Sequence, residues 1–188
     1  MSMLDILEIP EIRRQFVPLS LQEYEDLCIR EPEKYRKTEL FRGAVVTKMT
    51  KSSRHSYFKN VFTEDIRKVV PSGFFVQNGN SISFLDSDLE SDISVIAGNQ
   101  KDYRNSKPSM ARLIVEIAVS SIVYDRSKSM DYSRAGVNEY WIVDADSESV
   151  EVYTHPSENG YQQKKLFVKE DSLELFGKLF PLNRIFEQ

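Results

Sequence analysis

The chain has 188 residues, 40% of them hydrophobic, which is enough for one sizeable core and too little for two large domains. A formal net charge of -4 excludes a sequence-wide basic field of the kind that coats nucleic acid without specificity. No stretch approaches the roughly 20 apolar residues of a membrane span, and a start carrying Asp5, Glu8 and Glu11 lacks the basic-then-apolar order of a secretory signal.

Residues 1–19 hold scattered apolar positions and two prolines, Pro10 and Pro18, and read as an irregular N-terminal arm. Ser20 and Glu23 have capping-box spacing, which predicts a short helix with Leu21, Tyr24, Leu27 and Cys28 on one face, ending before Pro32. Cys28 is the single cysteine, so neither a disulfide nor a cysteine zinc site can form within the chain; a reducing compartment, the cytoplasm, is the expectation. Glu39 to Met49 reads as a hairpin turning at Arg42-Gly43, with Glu39 at its head. Ser52 or Ser53 caps the next helix, whose positions Phe58, Val61, Phe62, Ile66 and Val69 recur with helical period until Pro71-Ser72-Gly73. His55 lies on the buried side of its first turn.

Phe74 to Val76 and Ile82 to Leu85 are strand-like around a predicted turn at Asn78-Gly79-Asn80. Asp92 to Ile96 is the next strand. The polar stretch from Gly98 to Pro108 has no apolar helical period and reads as a loop. Parallel neighbours usually need a helical crossover, so a loop predicts that the Asp92 strand pairs antiparallel with Leu113 to Ala118. That pairing brings Asp92, near the start of one strand, to the same sheet end as Glu116, near the end of the other. Glu116 shares a face with Ile114 and Ala118, and both faces of its strand are apolar, so it is a carboxylate in a covered sheet that needs compensation.

A helix over about Asp125 to Ala135, with Gly136 as a left-handed cap, puts Tyr124, Lys128, Tyr132 and Ala135 on one stripe. Lys128 therefore points at the sheet, where Asp92 and Glu116 are the nearest acids. Glu139 to Ala145 and Ser149 to His155 form a predicted hairpin that includes Trp141; a strand at Lys164 to Val168 and an apolar close from Leu173 to Phe186 follow.

Two carboxylates at one sheet end can hold Mg²⁺ through oxygen, and an ammonium beside them can orient a water or offset developing charge. A buried Glu116–Lys128 ion pair, with Asp92 as an ordinary strand-edge residue, fits the spacing equally well. His55 reads first as a helix-start histidine bonded to a neighbouring loop, and also fits a ligand, a phosphate contact or a general acid at the site edge. Asp144 and the pair Asp125-Arg126 read as turn and capping features. Lys48, Lys51, Arg54 and Lys59 gather around one turn, as a solvated face or an attraction for a nucleic-acid backbone. Glycine-rich phosphate loops and a serine-hydrolase elbow are absent, and two histidines are too few for a histidine zinc site, which favours a hard metal.

The run Tyr124-Asp125-Arg126-Ser127-Lys128, followed by Tyr132 through Asp144, resembles the Uma-two family of restriction-endonuclease-like proteins. Glu39-Leu40-Phe41-Arg42-Gly43, the segment ending at His55, Ser91-Asp92-Ile93 and Val115 through Ser120 match its other motifs in order, over most of residues 35–155. The family is similar to the PD-(D/E)XK nucleases. The resemblance implies one α/β domain over residues 1–188, a central mixed β-sheet flanked by helices, and Mg²⁺-dependent phosphodiester hydrolysis with Mn²⁺ as a substitute. It implies Asp92 and Glu116 as the metal-binding pair, Glu39 as an additional upstream acid, and Lys128 as the catalytic lysine. Two departures stand out: Ser91 replaces the usual proline before the aspartate, and Ala118 occupies the usual lysine position, which the helix supplies through Lys128. The expected activity is a DNA endonuclease, with nucleic acid as partner, no membrane, and room for a homodimer. The competing expectation is a non-catalytic binding or assembly protein that keeps the nuclease fold.

Overall fold

The computed structural model describes residues 9–187, which divide into two compact units, residues 9–48 with 85–88, and residues 49–84 with 89–187. Of the expected irregular arm, residues 1–8 lie outside the described part. The remainder is not wholly irregular: Pro10–Arg13 forms a helical turn (α1), because proline presets the first helical φ and Glu11 suits the first turn.

In the first unit, α2 (Leu21–Arg30) starts on the predicted capping box, with Ser20 Oγ accepting from the Glu23 amide and the Glu23 carboxylate accepting from the Ser20 amide. A short helix, α3 (Pro32–Tyr35), follows. The hairpin β1 (Thr38–Phe41) and β2 (Ala44–Thr47) turns at Arg42-Gly43, and Leu40 also pairs with Asp88. Gly43 has φ +74°, and a side chain there would collide with Pro18.

The second unit is built on a mixed sheet. Helix α4 (Ser53–Val69) begins where Ser52 Oγ caps the His55 amide. The strands β3 (Phe74–Phe84), β4 (Ser87–Ala97), β5 (Leu113–Ala118), β6 (Glu139–Asp144), β7 (Ser149–Thr154) and β8 (Gln163–Val168) follow. Strands β4 to β8 lie side by side in that order, and β3 also pairs with β4. The β4/β5 pair is antiparallel, as the loop predicted; β5/β6 is parallel, crossed over by helix α5 (Ile122–Arg134); β6/β7 and β7/β8 are antiparallel. The 98–108 loop contains only a 3₁₀ turn at Gln100–Tyr103.

Helix α5 starts at Ile122, earlier than the expected Asp125, and two strand features differ from expectation. Asn78-Gly79-Asn80 is not a turn: β3 runs unbroken through it, and Gly79, at φ +62°, absorbs the irregularity within the strand. Strand β4 starts at Ser87, so Asp92 sits in its middle and not near its start. Polar residues such as Ser87, Asp88 and Glu90 hide that strand from an apolar-run criterion.

Helices cover both faces of the sheet. Phe58, Phe62 and Ile66 of α4 share a core with Ile93, Val95, Val115, Ile117 and Trp141. The C-terminal hairpin β9 (Ser172–Leu175) and β10 (Lys178–Pro181), with α6 (Asn183–Phe186), closes that core; Phe180 packs on Trp141 and Phe186 on Phe58. On the other face Tyr132 of α5 packs on Tyr140 of β6, ring centroids 4.8 Å apart. Gly136 caps α5 at φ +76°, as predicted. No helix among the described residues is long and apolar enough to cross a membrane.

Phe62 is fully buried in this core. Phe62→Ala is expected to lower unfolding stability by about 3–5 kcal/mol through lost transfer energy and the cavity left behind, measured by urea denaturation with an unchanged slope.

Candidate active site

The β4/β5 ladder stops at Ile93↔Val115, and one step beyond it the register brings Asp92 opposite Glu116. There the side chains replace the backbone pairing. The Asp92 amide donates to Glu116 Oε2 at 3.1 Å, and the Ile117 amide donates to Asp92 Oδ2 at 2.9 Å. Each buried carboxylate thus satisfies an amide that the ladder no longer serves.

Three further elements deliver cations and donors. From α5, Lys128, only 4% exposed, places Nζ 3.0 Å from Glu116 Oε1, and the Tyr132 hydroxyl donates to the same oxygen at 3.1 Å. Lys128 also lies 3.8 Å from Asp125 and 4.7 Å from the Tyr124 ring centre. From α4, His55 Nε2 stands 2.8 Å from Asp92 Oδ2. With Asp92 ionised, Nε2 carries the proton toward it, and the buried Nδ1 has no hydrogen-bond partner in the structure. From the segment before α4, Lys51 Nζ lies 3.0 Å from Asp92 Oδ1 and 3.0 Å from Glu90 Oε1.

These surroundings push the two carboxyls apart. Burial opposes charge on Asp92, but His55, Lys51 and the Ile117 amide outweigh it and bring the carboxyl down to about 2. Burial raises Glu116 to about 8; Lys128 pulls it down, while Asp92 and Asp125 add to the rise. Burial opposes the charge on Lys51 too, yet Asp92 and Glu90 raise its pKa overall.

Asp92, Glu116, Lys128 and His55 therefore converge. Glu39 lies buried on β1 of the other unit, opposite Val46. Lys51 and Glu90 were missed as site residues. Lys51 was grouped with Arg54, but Arg54 turns to Asp146 at 2.9 Å. The available signal for Glu90 was its i−2 relation to Asp92 along one strand. Asp144 is the turn residue expected, accepting the Asp146 and Ser147 amides. The pair Asp125-Arg126 splits: Asp125 accepts from Ser121 Oγ in the first helical turn, whereas Arg126 reaches Glu151 on β7 and is no capping residue.

Among the described residues no three His, Cys, Asp or Glu side chains gather at metal-binding spacing. A cation here would take the two carboxylates and complete its shell with backbone oxygen and water, which is how Mg²⁺ is commonly held. The donor set is all hard oxygen, and burial keeps the Glu116 carboxyl raised even with the Lys128 ammonium 3.0 Å away, so a further cation beside it is favourable. On both counts the residues present fit a hard divalent ion.

A mixed sheet with helices on both faces and an acid pair where the ladder ends defines a restriction-endonuclease-like nuclease fold. The chain belongs to the Uma2 family, described as "Putative restriction endonuclease", whose family model matches residues 21–180. Among solved structures it is similar to a "putative nuclease belonging to DUF820" from Anabaena variabilis ATCC 29413. That likeness has a TM-score of 0.73 and 19% identity, and covers 90% of this chain and 98% of that one. It is also similar to the type IIG restriction endonuclease BpuSI at 16% identity, over 71% of this chain and 15% of that one; the TM-score of 0.39 carries no argument about the fold. No curated protein matches the sequence.

The opposite shifts give a two-sided pH dependence. Asp92, depressed in the fold, contributes stability that is present above its unfolded pKa near 3.8 and is lost as pH falls toward 2. Glu116, raised in the fold, contributes stability that is present below 4.5 and is lost as pH rises through about 8. Denaturant midpoints between pH 2 and 9 should fall at both ends, with Asp92→Asn removing part of the acid limb and Glu116→Gln part of the alkaline one.

Proposed function

We propose that the chain is a Mg²⁺-dependent endonuclease that hydrolyses phosphodiester bonds in DNA, with Mn²⁺ able to substitute. The observation that carries this reading is the convergence of Asp92, Glu116 and Lys128 where the β4/β5 ladder ends. Membership of a family described as "Putative restriction endonuclease" supports it. The family model spans both compact units, which supports reading residues 1–188 as one restriction-endonuclease-like domain.

Asp92, Glu116 and the carbonyl of Ile117 would hold the ion. When bound, it supplies polarisation of the phosphodiester and acidification of a water. The chain's own residues do the rest. Tyr132 and Lys128 fix Glu116 Oε1, and His55 and the Ile117 amide fix Asp92 Oδ2, so both carboxylates are oriented before substrate arrives. In this reading the Lys128 ammonium would hold the attacking water and offset charge developing on the phosphoryl oxygens.

A second reading, a non-catalytic binding protein on the nuclease fold, has one observation in its favour. Lys51 on Asp92 and Lys128 on Glu116 give each carboxylate a cation without any metal. Calorimetry separates the two, because the second reading predicts no Mn²⁺ binding that depends on Asp92 and Glu116.

Purified protein should nick supercoiled plasmid with Mg²⁺ or Mn²⁺ and not with EDTA. Lys128→Ala should lower the rate by about 10²–10³-fold, on the scale of losing one stabilising donor. Undiminished cleavage by that variant would remove Lys128 from the mechanism.

A further inference from the structure

Beside the acid pair lies a second feature that the proposed mechanism does not use. A cleft of about 500 Å³ opens between β3, β4 and the loop after the 3₁₀ turn, lined among others by Gln77, Glu90, Tyr103, Arg104 and Lys107. Glu90 joins it to the acid pair: its Oε1 holds Lys51, which also holds Asp92. Residues 90 and 92 are two apart on one strand and share a face, so the two sites are separated by about 6.7 Å of strand. That distance is within the reach of one nucleotide along a chain.

The lining has a definite chemistry. The lining carries two cations, Arg104 and Lys107, against one acid, Glu90, which also engages Lys51. The cleft is thus locally basic in a chain of net charge -4. Tyr103 supplies an aromatic ring, braced against Phe75 with centroids 5.7 Å apart. Gln77 supplies a carboxamide whose Nε2 is buried and has no hydrogen-bond partner in the structure. A buried donor left unmet is costly, and an acceptor on a ligand would satisfy it.

Cations for phosphate, a ring for stacking and a carboxamide for a base edge are the groups that recognise an unpaired nucleotide. The volume is that of a small-molecule site and suits a single splayed-out nucleotide better than a base that stays stacked inside a duplex. We propose that this cleft holds one unpaired nucleotide of the strand being cut, next to the phosphodiester at Asp92 and Glu116. This rests on the nuclease reading above and narrows its substrate to strands with unpaired nucleotides: single strands, gaps or flaps.

Fluorescence anisotropy in EDTA, with labelled single-stranded DNA and the matching duplex, tests it without turnover. The single strand should bind roughly tenfold tighter than the duplex, as one stacked and hydrogen-bonded base would give. Arg104→Ala/Lys107→Ala and, separately, Gln77→Leu should each remove most of that preference while circular dichroism stays unchanged. Equal binding of duplex and single strand overturns the proposal, as does wild-type preference in both variants. A free mononucleotide that binds as tightly as the strand overturns it in favour of a small ligand. Plasmid cleavage with Mn²⁺ is read in parallel on the wild type. Cleavage with unaffected variant binding sinks the cleft alone; a preference lost in the variants without wild-type cleavage upholds the cleft and sinks the nuclease reading.

Discussion

The second unit depends on an exchange in which two carboxylates take over from a backbone ladder. Where β4 and β5 cease to pair, Glu116 accepts the Asp92 amide and Asp92 accepts the Ile117 amide. Without those acceptors the strand end would bury unpaired N–H groups, each at a cost comparable to a lost hydrogen bond. The carboxylates therefore have a structural task before they have a chemical one. Two acids are held with their oxygens oriented, in a covered sheet where electrostatic interactions are strong.

Such an arrangement needs cations, and the fold brings them from both sides. Helix α5 crosses over between β5 and β6 and lays Lys128 and Tyr132 onto Glu116, while His55 and Lys51 reach Asp92 from α4 and the segment before it. The result is asymmetric. Asp92 is surrounded by donors and stays ionised to low pH, whereas Glu116 is more deeply buried and carries a raised pKa. An added cation would act most strongly on Glu116, because its charge is the less compensated of the two. Lys51 is the more exposed of the two lysines and is shared with Glu90, so the Asp92 side is the one in electrostatic contact with the neighbouring cleft.

Much of this was legible in residue order. A polar loop without helical period required β4 and β5 to be antiparallel, and the Tyr124, Lys128, Tyr132 spacing required an inward lysine. Other features were hidden by their composition. Ser87 to Glu90 contains too few apolar residues to announce a strand, so Asp92 looked like a strand start. Gly79 between two asparagines has the composition of a turn, yet it lies within β3, which pairs with the following strand β4. Arg126 looked like a cap and is instead partner to Glu151, 25 residues away, a pairing set by the β6/β7 hairpin.

The sequence by itself determined the periodicities, caps and turns, and hence which side chains share a face, because these depend on neighbours a few residues apart. It also marked Asp92, Glu116 and Lys128 as charges among apolar residues in need of partners. Only the tertiary structure decided which partners they found: Lys51 and His55 on Asp92, Tyr132 on Glu116, and a basic cleft behind Glu90. Those choices rest on strand register and helix placement, which sum weak contacts over the whole unit and leave no local signature in the chain.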